Sequence, residues 1–198
     1  MPCPGVAVAA MLGGSFKAGQ GRADDERHNV SRQLPPDACH AALIDLVEAV
    51  EARGENSFVA SILVLEGKEL QHAAAPNLPA RYKEAVDGIE IGAGAGSCGT
   101  AAFCGHPIYV SDIATDPLWA RWSEITNMAL EAGLRACWSM PIMSGSKVLG
   151  TFAIYHREPR SPTVAERSLI GEAARSAAGL LDANAKPNCQ TPDALLHR

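Results

Sequence analysis

The fold is decided by residues 92–119, GAGAGSCGTAAFCGHPIYVSDIATDPLW, and residues 135–160, RACWSMPIMSGSKVLGTFAIYHREPR. In chain order they predict a glycine-rich loop, a short helix, a strand, a helix that carries tryptophan, and two strands joined by a tight turn at residues 144–146. That order is typical of a sheet that is covered on one face by loops and short helices. Such a covered sheet is the architecture of a small-molecule sensor.

The segment before these blocks predicts one long helix and two strands. Apolar residues at helical spacing indicate a helix over residues 38–53, with Asp37 as its N-cap and Gly54 as a left-handed residue after its end. Runs of β-branched and apolar residues predict strands at 57–65 and 69–75.

Three more helices are predicted from their termini. Residues 79–86 form a short helix, and Pro117 opens a helix that runs towards Gly133. Thr163 and Glu166 form a capping box for the last helix, which ends near residue 183. The sequence thus predicts an α+β fold with five or six mostly antiparallel strands, in which the first and last helices cover one face and loops and short helices cover a pocket on the other.

The composition indicates one folded domain with tails. The chain has 198 residues, of which we assign 37–185 to the domain, 1–36 to a flexible N-terminal arm and 186–198 to a flexible C-terminal tail. A net charge of −5 argues against a nucleic-acid surface. Because no run of about eighteen apolar residues is present, we expect no membrane contact. The six cysteines form no CxxC pair, so we expect reduced thiols and a cytoplasmic location.

The combined pattern GSCGTAA, CG, PIYVSDIATDPLW, RACWSMPI and GTFAIYHREPR resembles a GAF domain, in particular the sensory GAF domains of bacterial histidine kinases and cyclic-di-GMP enzymes. The resemblance implies a six-stranded antiparallel sheet, a ligand pocket and dimerisation through terminal helices. Sensors of this kind usually precede an output domain. Since few residues follow 183, we expect a stand-alone module, a truncated product or a partner acting in trans.

The start of the helix at residues 97–104 supplies the first pocket candidates. Ser97 is the predicted N-cap, with its hydroxyl accepting from the N–H of Thr100. Cys98 would then be the first helical residue, where the helix dipole lowers a thiol pKa slightly, and a packed cysteine is the alternative. The loop at 92–97 could hold a small anion such as nitrate on its N–H groups, or its glycines could simply permit tight turning.

Aromatic and turn residues supply the other candidates. Trp119 and Trp122 lie three apart on the predicted helix and therefore share a face, and Trp138 lies on the following strand. All three could line a pocket or fill the core. Asp112 and Ile113 follow a strand end and flank the pocket region, where Asp112 also fits an ordinary turn.

The sequence shows no signature for a cofactor. The six histidines form no metal-ligand set. Cys39-His40 resembles the bilin-attachment pair of phytochrome-like GAF domains, but it lies in the first helix. We therefore expect no haem, bilin or metal, and the cofactor remains unknown.

One enzyme class shares a motif with this chain. The GxGxCG stretch of the free methionine sulfoxide reductases resembles residues 94–99, with Cys98 aligned to one of their cysteines. Their other cysteines have no counterpart, because none lies between Cys39 and Cys98 or between Cys104 and Cys137. We therefore expect no catalytic residues and no enzyme.

The leading hypothesis is a sensory domain that binds an unidentified small molecule and signals through its terminal helices. An alanine-rich stripe on the last helix predicts a homodimer through that helix and the first one; its residues are Leu169, Ile170, Ala173, Ala174, Ala177, Leu180 and Leu181. The alternatives are an interaction module whose pocket is filled by its own side chains, and a thiol redox enzyme.

Overall fold

The computed structural model describes residues 37–54, 57–120 and 122–185. The predicted flexible arm and tail lie outside these residues. The helices are α1 (Asp37–Arg53), α2 (Ala80–Val86), α3 (Gly96–Cys104), α4 (Pro117–Ala120), α5 (Ser123–Glu131) and α6 (Val164–Ala185). The strands are β1 (Phe58–Glu66), β2 (Glu69–Ala74), β3 (Ile89–Glu90), β4 (Ile108–Val110), β5 (Ala136–Ser144) and β6 (Lys147–His156).

The strands form one sheet in the order β3-β2-β1-β6-β5-β4, and every neighbouring pair is antiparallel. The predicted α+β class and antiparallel sheet are therefore confirmed. The two hairpins turn at Gly67 and Gly145, whose φ angles of 62° and 58° are ones that L side chains rarely adopt. Strand β3 was not predicted, because two residues carry no detectable alternation.

One face of the sheet, which we call the helix face, packs against α1 and α6. Side chains alternate across a strand, so Ile62 of β1, Trp138 of β5 and Phe152 of β6 all point to this face. Leu43 of α1 and Ile170 of α6 meet them in one buried apolar cluster. The prediction that the first and last helices share one face is confirmed.

The opposite face, which we call the lid face, lies under helices α2 to α5, which together form the lid. The three central strands place hydroxyl or thiol side chains on this face, and all of them are buried. They are Ser61 of β1, Cys137 and Ser139 of β5, and Thr151 and Tyr155 of β6.

The alanine-rich stripe of α6 is used within the chain. Ala173, Ala174 and Ala177 are buried in the apolar cluster of the helix face, and Leu169 and Leu180 pack against it. The stripe therefore packs mainly on the chain's own sheet and α1 rather than remaining open for a second helix.

Local capping signals held at some positions and failed at others. Thr163 and Glu166 exchange the two hydrogen bonds of a capping box, at 2.8 Å and 3.3 Å. Gly105 ends α3 in the left-handed conformation, as expected. Gly54 does not, since its φ lies outside that region. A side chain at Gly54 would instead collide with the ring of Phe58, so close packing explains this glycine.

The predicted helix from Pro117 towards Gly133 is two helices, so the assignment of both tryptophans to one helix is wrong. Trp119 lies in α4, whereas Trp122 is the N-cap of α5 with φ −116° and ψ 51°. Across the described residues, none of the helices is both long and apolar enough to cross a bilayer.

Candidate functional site

A narrow cavity lies between the lid face and the lid. The space open to the centres of water-sized molecules is about 30 Å³, and since one water needs roughly 10–15 Å³ on this measure, about two waters would fit. The lining residues are Leu63, Tyr82, Val86, Ile89, Ala95, Gly96, Ser97, Cys98, Trp119, Trp122, Ile125 and Tyr155. None of them is an Asp, Glu, Lys, Arg or His.

Helix α3 presents its first turn to the cavity. It begins at Gly96, and no side chain caps it at Ala95. The prediction that Ser97 is the N-cap is therefore wrong, and Cys98 is the third helical residue instead of the first. Ser97 instead donates its hydroxyl to Sγ of Cys137, at 2.9 Å.

The glycine-rich loop before α3 satisfies several of its own N–H groups. Gly94 N donates to Oγ1 of Thr100 at 3.2 Å. Gly92 N donates to the carbonyl of Gly99, and Ala95 N donates to that of Gly92. These three N–H groups are thus not available to bind an anion, although the hypothesis of an anion site in this loop needs free N–H groups.

Two thiols and a hydroxyl meet beside the cavity. Sγ of Cys98 lies 3.2 Å from Oγ of Ser139, and Sγ of Cys137 lies 3.8 Å from the same oxygen. The hydroxyl of Tyr155 is 3.8 Å from the Cys98 sulfur. Cys98 is partly exposed, whereas Cys137 is buried. The sheet and α3 thus bring together two cysteines that lie 39 positions apart in the chain.

The two thiols differ in acidity. Hydrogen bonding from the Cys137 thiol, opposed by burial and helped by the hydroxyls of Ser139 and Tyr155, lowers the pKa of Cys98 to about 6. Burial, followed by the proximity of Cys98, raises the pKa of Cys137 well above its usual range. Cys98 is therefore the thiol that carries negative charge near neutral pH.

Several buried polar groups at this site have no partner among the described residues. Nε1 of Trp119 is one of them, although the side chain is only 4% exposed and lines the cavity. The hydroxyls of Ser61 and Thr151 on the lid face also make no hydrogen bond of good geometry within the described residues. The Thr151 hydroxyl lies near enough to help lower the pKa of Cys98, and that of Ser61 acts on the phenol of Tyr155. A buried donor without an acceptor costs about 1–3 kcal/mol, so the Trp119 indole is a group that a bound molecule could satisfy.

Residues 40–182 match the family described as GAF domain. The chain belongs to the GAF domain family. Over 110 residues, this GAF domain is 41% identical to the methyl sulfide methyltransferase-associated sensor of Methanosarcina acetivorans. The matched stretch is 55% of this chain but 11% of that protein, so the chain spans a small part of the relative's length.

Solved structures share the fold. A domain described as belonging to a two-component sensor histidine kinase of Sinorhizobium meliloti 1021 superposes with a TM-score of 0.57 at 20% identity, over 76% of this chain and 92% of that one. The type II free methionine-R-sulfoxide reductase of Thermoplasma acidophilum gives 0.58 at 14% identity, over 75% and 95%. At these identities the likeness concerns the fold alone.

The GAF domain brings four of the eight predicted pocket residues to the cavity. These four are Ser97, Cys98, Trp119 and Trp122. The indole of Trp122 also donates to the carbonyl of Gly94 at 2.8 Å, which ties the start of α5 to the loop before α3. Trp138 is fully buried on the helix face, so β5 separates it from the cavity.

The remaining three predicted residues do not line the cavity. Thr100 accepts the bond from Gly94, and Ile113 packs in the apolar part of the lid. Asp112 accepts from the N–H of Ala114 and pairs with Arg135 at 3.2 Å, which is the turn role weighed as its alternative.

The sequence reasoning missed the sheet's contribution to the site. Tyr82 and Tyr155 line the cavity with rings 5.8 Å apart and nearly perpendicular. Burial holds the pKa of both phenols well above the usual range, so both stay protonated. Alternation along β5 and β6 could have placed Cys137, Ser139 and Tyr155 on one face. Within the described residues, no cluster of three or more His, Cys, Asp or Glu could hold a metal ion.

Proposed function

We propose that this GAF domain is a sensory module that binds a small molecule in the cavity beneath its lid. The observation that carries the proposal is the unpartnered Nε1 of Trp119, which is buried in the wall of that cavity. A ligand that accepts this hydrogen bond removes a desolvation cost that the unliganded domain bears. The sensor name of the relative and the family membership support the same class.

The cavity wall limits the chemistry of the ligand. No Asp, Glu, Lys, Arg or His is among the lining residues, and most of the wall is apolar. A neutral molecule with one acceptor atom therefore fits better than a nitrate-like anion, because an anion would lose hydration without gaining a cation. With room for about two waters, the ligand is very small, or it binds as the lid moves outward.

A buried carboxylate offers a route from the lid to the terminal helices. Glu51 of α1 accepts from the N–H of Ala60 at 2.7 Å and from the side chain of Asn77 at 2.6 Å. Asn77 lies in the segment that leads into α2, which carries the cavity residues Tyr82 and Val86. In the proposed mechanism, a ligand in the cavity displaces α2. The Asn77–Glu51 contact transmits this displacement to α1, which changes the populations of two helix arrangements.

The output is proposed to be a homodimer through α1 and α6, or a signalling partner in trans. The alanine stripe of α6 gives this proposal less support than the sequence did, because the stripe is buried within the chain. The basis of the dimer proposal is therefore the family resemblance. A cytoplasmic location is part of the proposal.

We also propose that the domain does not turn over methionine sulfoxide. The fold is shared with methionine sulfoxide reductases, but this chain lacks cysteines in the segments where that family has them. Incubation of the full chain with free methionine-R-sulfoxide and a dithiol should release no methionine above the rate without protein. Multiple turnovers that disappear in Cys98→Ser would establish the enzyme instead.

The binding proposal is tested by a melting-temperature screen of the full chain with small neutral acceptors and with nitrate as the anionic comparison. A ligand at 100 times its Kd should stabilise the fold by about 2.7 kcal/mol. The variant Ile125→Trp should abolish the shift because the larger ring fills the cavity, whereas Ile125→Leu keeps the volume and should retain it.

Two results would count against the binding proposal. The first is a ligand whose shift survives in Ile125→Trp, since it binds elsewhere. The second is a complete lack of shifts together with a lid that stays closed by hydrogen exchange, which would favour an interaction module with a self-filled pocket. Size-exclusion chromatography with light scattering decides the homodimer separately.

A further inference from the structure

Two of the three free thiols in the described part of the chain share one neighbour. Sγ of Cys98 and Sγ of Cys137 both approach Oγ of Ser139, at 3.2 Å and 3.8 Å. The third, Cys39, is isolated on α1, where it donates to the carbonyl of Leu180. The pair of thiols, Cys98 and Cys137, is thus a chemical feature that the ligand-binding proposal does not use.

The two thiols occupy complementary positions. Cys98 lines the cavity, so a small solute that enters the cavity comes into contact with this residue. Cys137 is buried behind it and is held in place by the Ser97 hydroxyl at 2.9 Å. Cys98 is placed to react with a solute, and Cys137 is placed to react with the oxidised form of Cys98.

The space in front of Cys98 also restricts the solute. Room for about two waters admits hydrogen peroxide and excludes most metabolites. The hydroxyl of Tyr155, at 3.8 Å from the Cys98 sulfur, and the unpartnered indole N–H of Trp119 are hydrogen-bond donors at this cavity. They can stabilise the oxygen that leaves when an O–O bond breaks.

We propose that Cys98 and Cys137 form an oxidation site, at which a small hydroperoxide oxidises Cys98 and Cys137 then closes a disulfide bond between α3 and β5. This site goes beyond ligand binding and does not depend on it.

The chemistry balances in two steps. The Cys98 thiolate attacks one peroxide oxygen, so an S–O bond forms and the O–O bond breaks. The departing hydroxide or alkoxide takes up one proton, and Cys98 becomes a sulfenic acid. The Cys137 sulfur then attacks the Cys98 sulfur, the S–S bond forms, and the hydroxyl leaves as water with the proton from Cys137. Two thiols are oxidised by two electrons, one peroxide is reduced, and a dithiol such as dithiothreitol reverses the bond.

The contrast in acidity supports the order of the steps. The lowered pKa of Cys98, about 6, leaves it mostly thiolate at pH 7, whereas burial raises the pKa of Cys39. Cys98 is therefore the more fully ionised of the two thiols at pH 7. A less basic thiolate is also less nucleophilic, which offsets part of that advantage in rate.

The test is peroxide titration of the reduced full chain, followed by peptide mapping. We expect a mass loss of about two hydrogens and a peptide pair joined through Cys98 and Cys137. Cys98 should be consumed faster than Cys39 at pH 7, and its alkylation rate should rise with a midpoint near pH 6.

Three variants separate the roles. Cys137→Ser should stop at a Cys98 sulfenic acid that dimedone traps, Cys98→Ser should leave Cys137 unoxidised, and the control Cys39→Ser should form the bond as the parent does. Equal oxidation of Cys39 and Cys98, or a Cys98 sulfenic acid that never joins Cys137 in the parent chain, overturns the proposal. The parent-chain mapping is decisive even where a variant fails to fold. The ligand screen is run on the reduced chain, so the two proposals are tested separately.

Discussion

The two faces of the sheet are built from the same three central strands but differ in chemistry. On the helix face, Ile62, Trp138 and Phe152 meet apolar side chains of α1 and α6. On the lid face, the same strands bury four hydroxyls and one thiol equally deeply. These belong to Ser61, Ser139, Thr151, Tyr155 and Cys137.

Stability alone does not explain the polar face. A buried hydroxyl without a partner lowers stability by about 1–3 kcal/mol on protein mutational scales, and Ser61 and Thr151 both carry such hydroxyls. An apolar replacement would pack as well at no such cost. The helix face therefore provides most of the stabilising apolar packing. The lid face carries a polar site, and its buried polar groups lower the stability of the fold.

The largest expected effect lies on the helix face. Trp138→Ala should lower the free energy of unfolding by about 3–5 kcal/mol, because it opens a cavity in the main core. Urea unfolding followed by circular dichroism measures the change, and Trp138→Phe should cost less. A loss below about 1 kcal/mol would show that the two faces do not differ as described.

The next effect is acid destabilisation through His156. Its ring packs 4.2 Å from that of Trp138 and 5.4 Å from that of Phe58, measured between centroids. Burial, helped by the charge of Arg160, lowers the pKa of His156 to about 4. Since the unfolded chain binds this proton near pH 6.5, stability should fall as pH drops from about 6.5 to 4, by on the order of 2–3 kcal/mol.

Unfolding midpoints between pH 7 and pH 4 measure this contribution. The variant His156→Phe should have a smaller slope across that window, because it removes the group that takes up the proton on unfolding. An unchanged slope in the variant would mean that His156 is not buried in its neutral form.

A smaller effect is expected at the contact between the two regions. Glu51→Ala should cost about 1–3 kcal/mol, because it leaves the buried N–H of Ala60 without its acceptor. Glu48→Ala, at an exposed position of the same helix, is the matched control and should change stability by less than about 0.5 kcal/mol. A double-mutant cycle with Asn77→Ala should show coupling, and additivity would remove Glu51 from the proposed route.

The smallest expected change in the free energy of unfolding has opposite signs at two buried threonines. Thr151→Val should stabilise the domain by about 1 kcal/mol, since it removes a hydroxyl without a partner. Thr100→Val should destabilise it by a similar amount, because Thr100 accepts the bond from Gly94. Thermal unfolding of both variants gives the comparison, and a loss of stability in both would mean that the lid face is polar only for packing reasons.

The helices and hairpins were largely predictable because their signals are local. The capping box at Thr163 and Glu166 needs only three residues of spacing, and the turn at Gly145 needs only its own φ angle. The family resemblance added the sheet and its cover. The local helical pattern was misleading at Trp122, because the residues that it assigned to one helix form two helices.

The site was less predictable because its contacts are distant in sequence. Ser97 looked like a cap, yet its hydroxyl bonds to Cys137, forty positions away. The pKa of Cys98 was expected to fall only slightly through the helix dipole. It falls further through hydrogen bonds from Cys137, Ser139 and Tyr155, which no spacing along the chain reveals.

The bond from the Trp122 indole to the carbonyl of Gly94 has a kinetic consequence. It joins two segments that border the cavity, and we predict that a solute larger than the cavity enters as they separate. At high solute concentration, the entry rate should then reach a plateau set by that separation rather than by diffusion. Fluorescence of Trp122, near the point of opening, provides the signal with which stopped-flow mixing can measure that plateau.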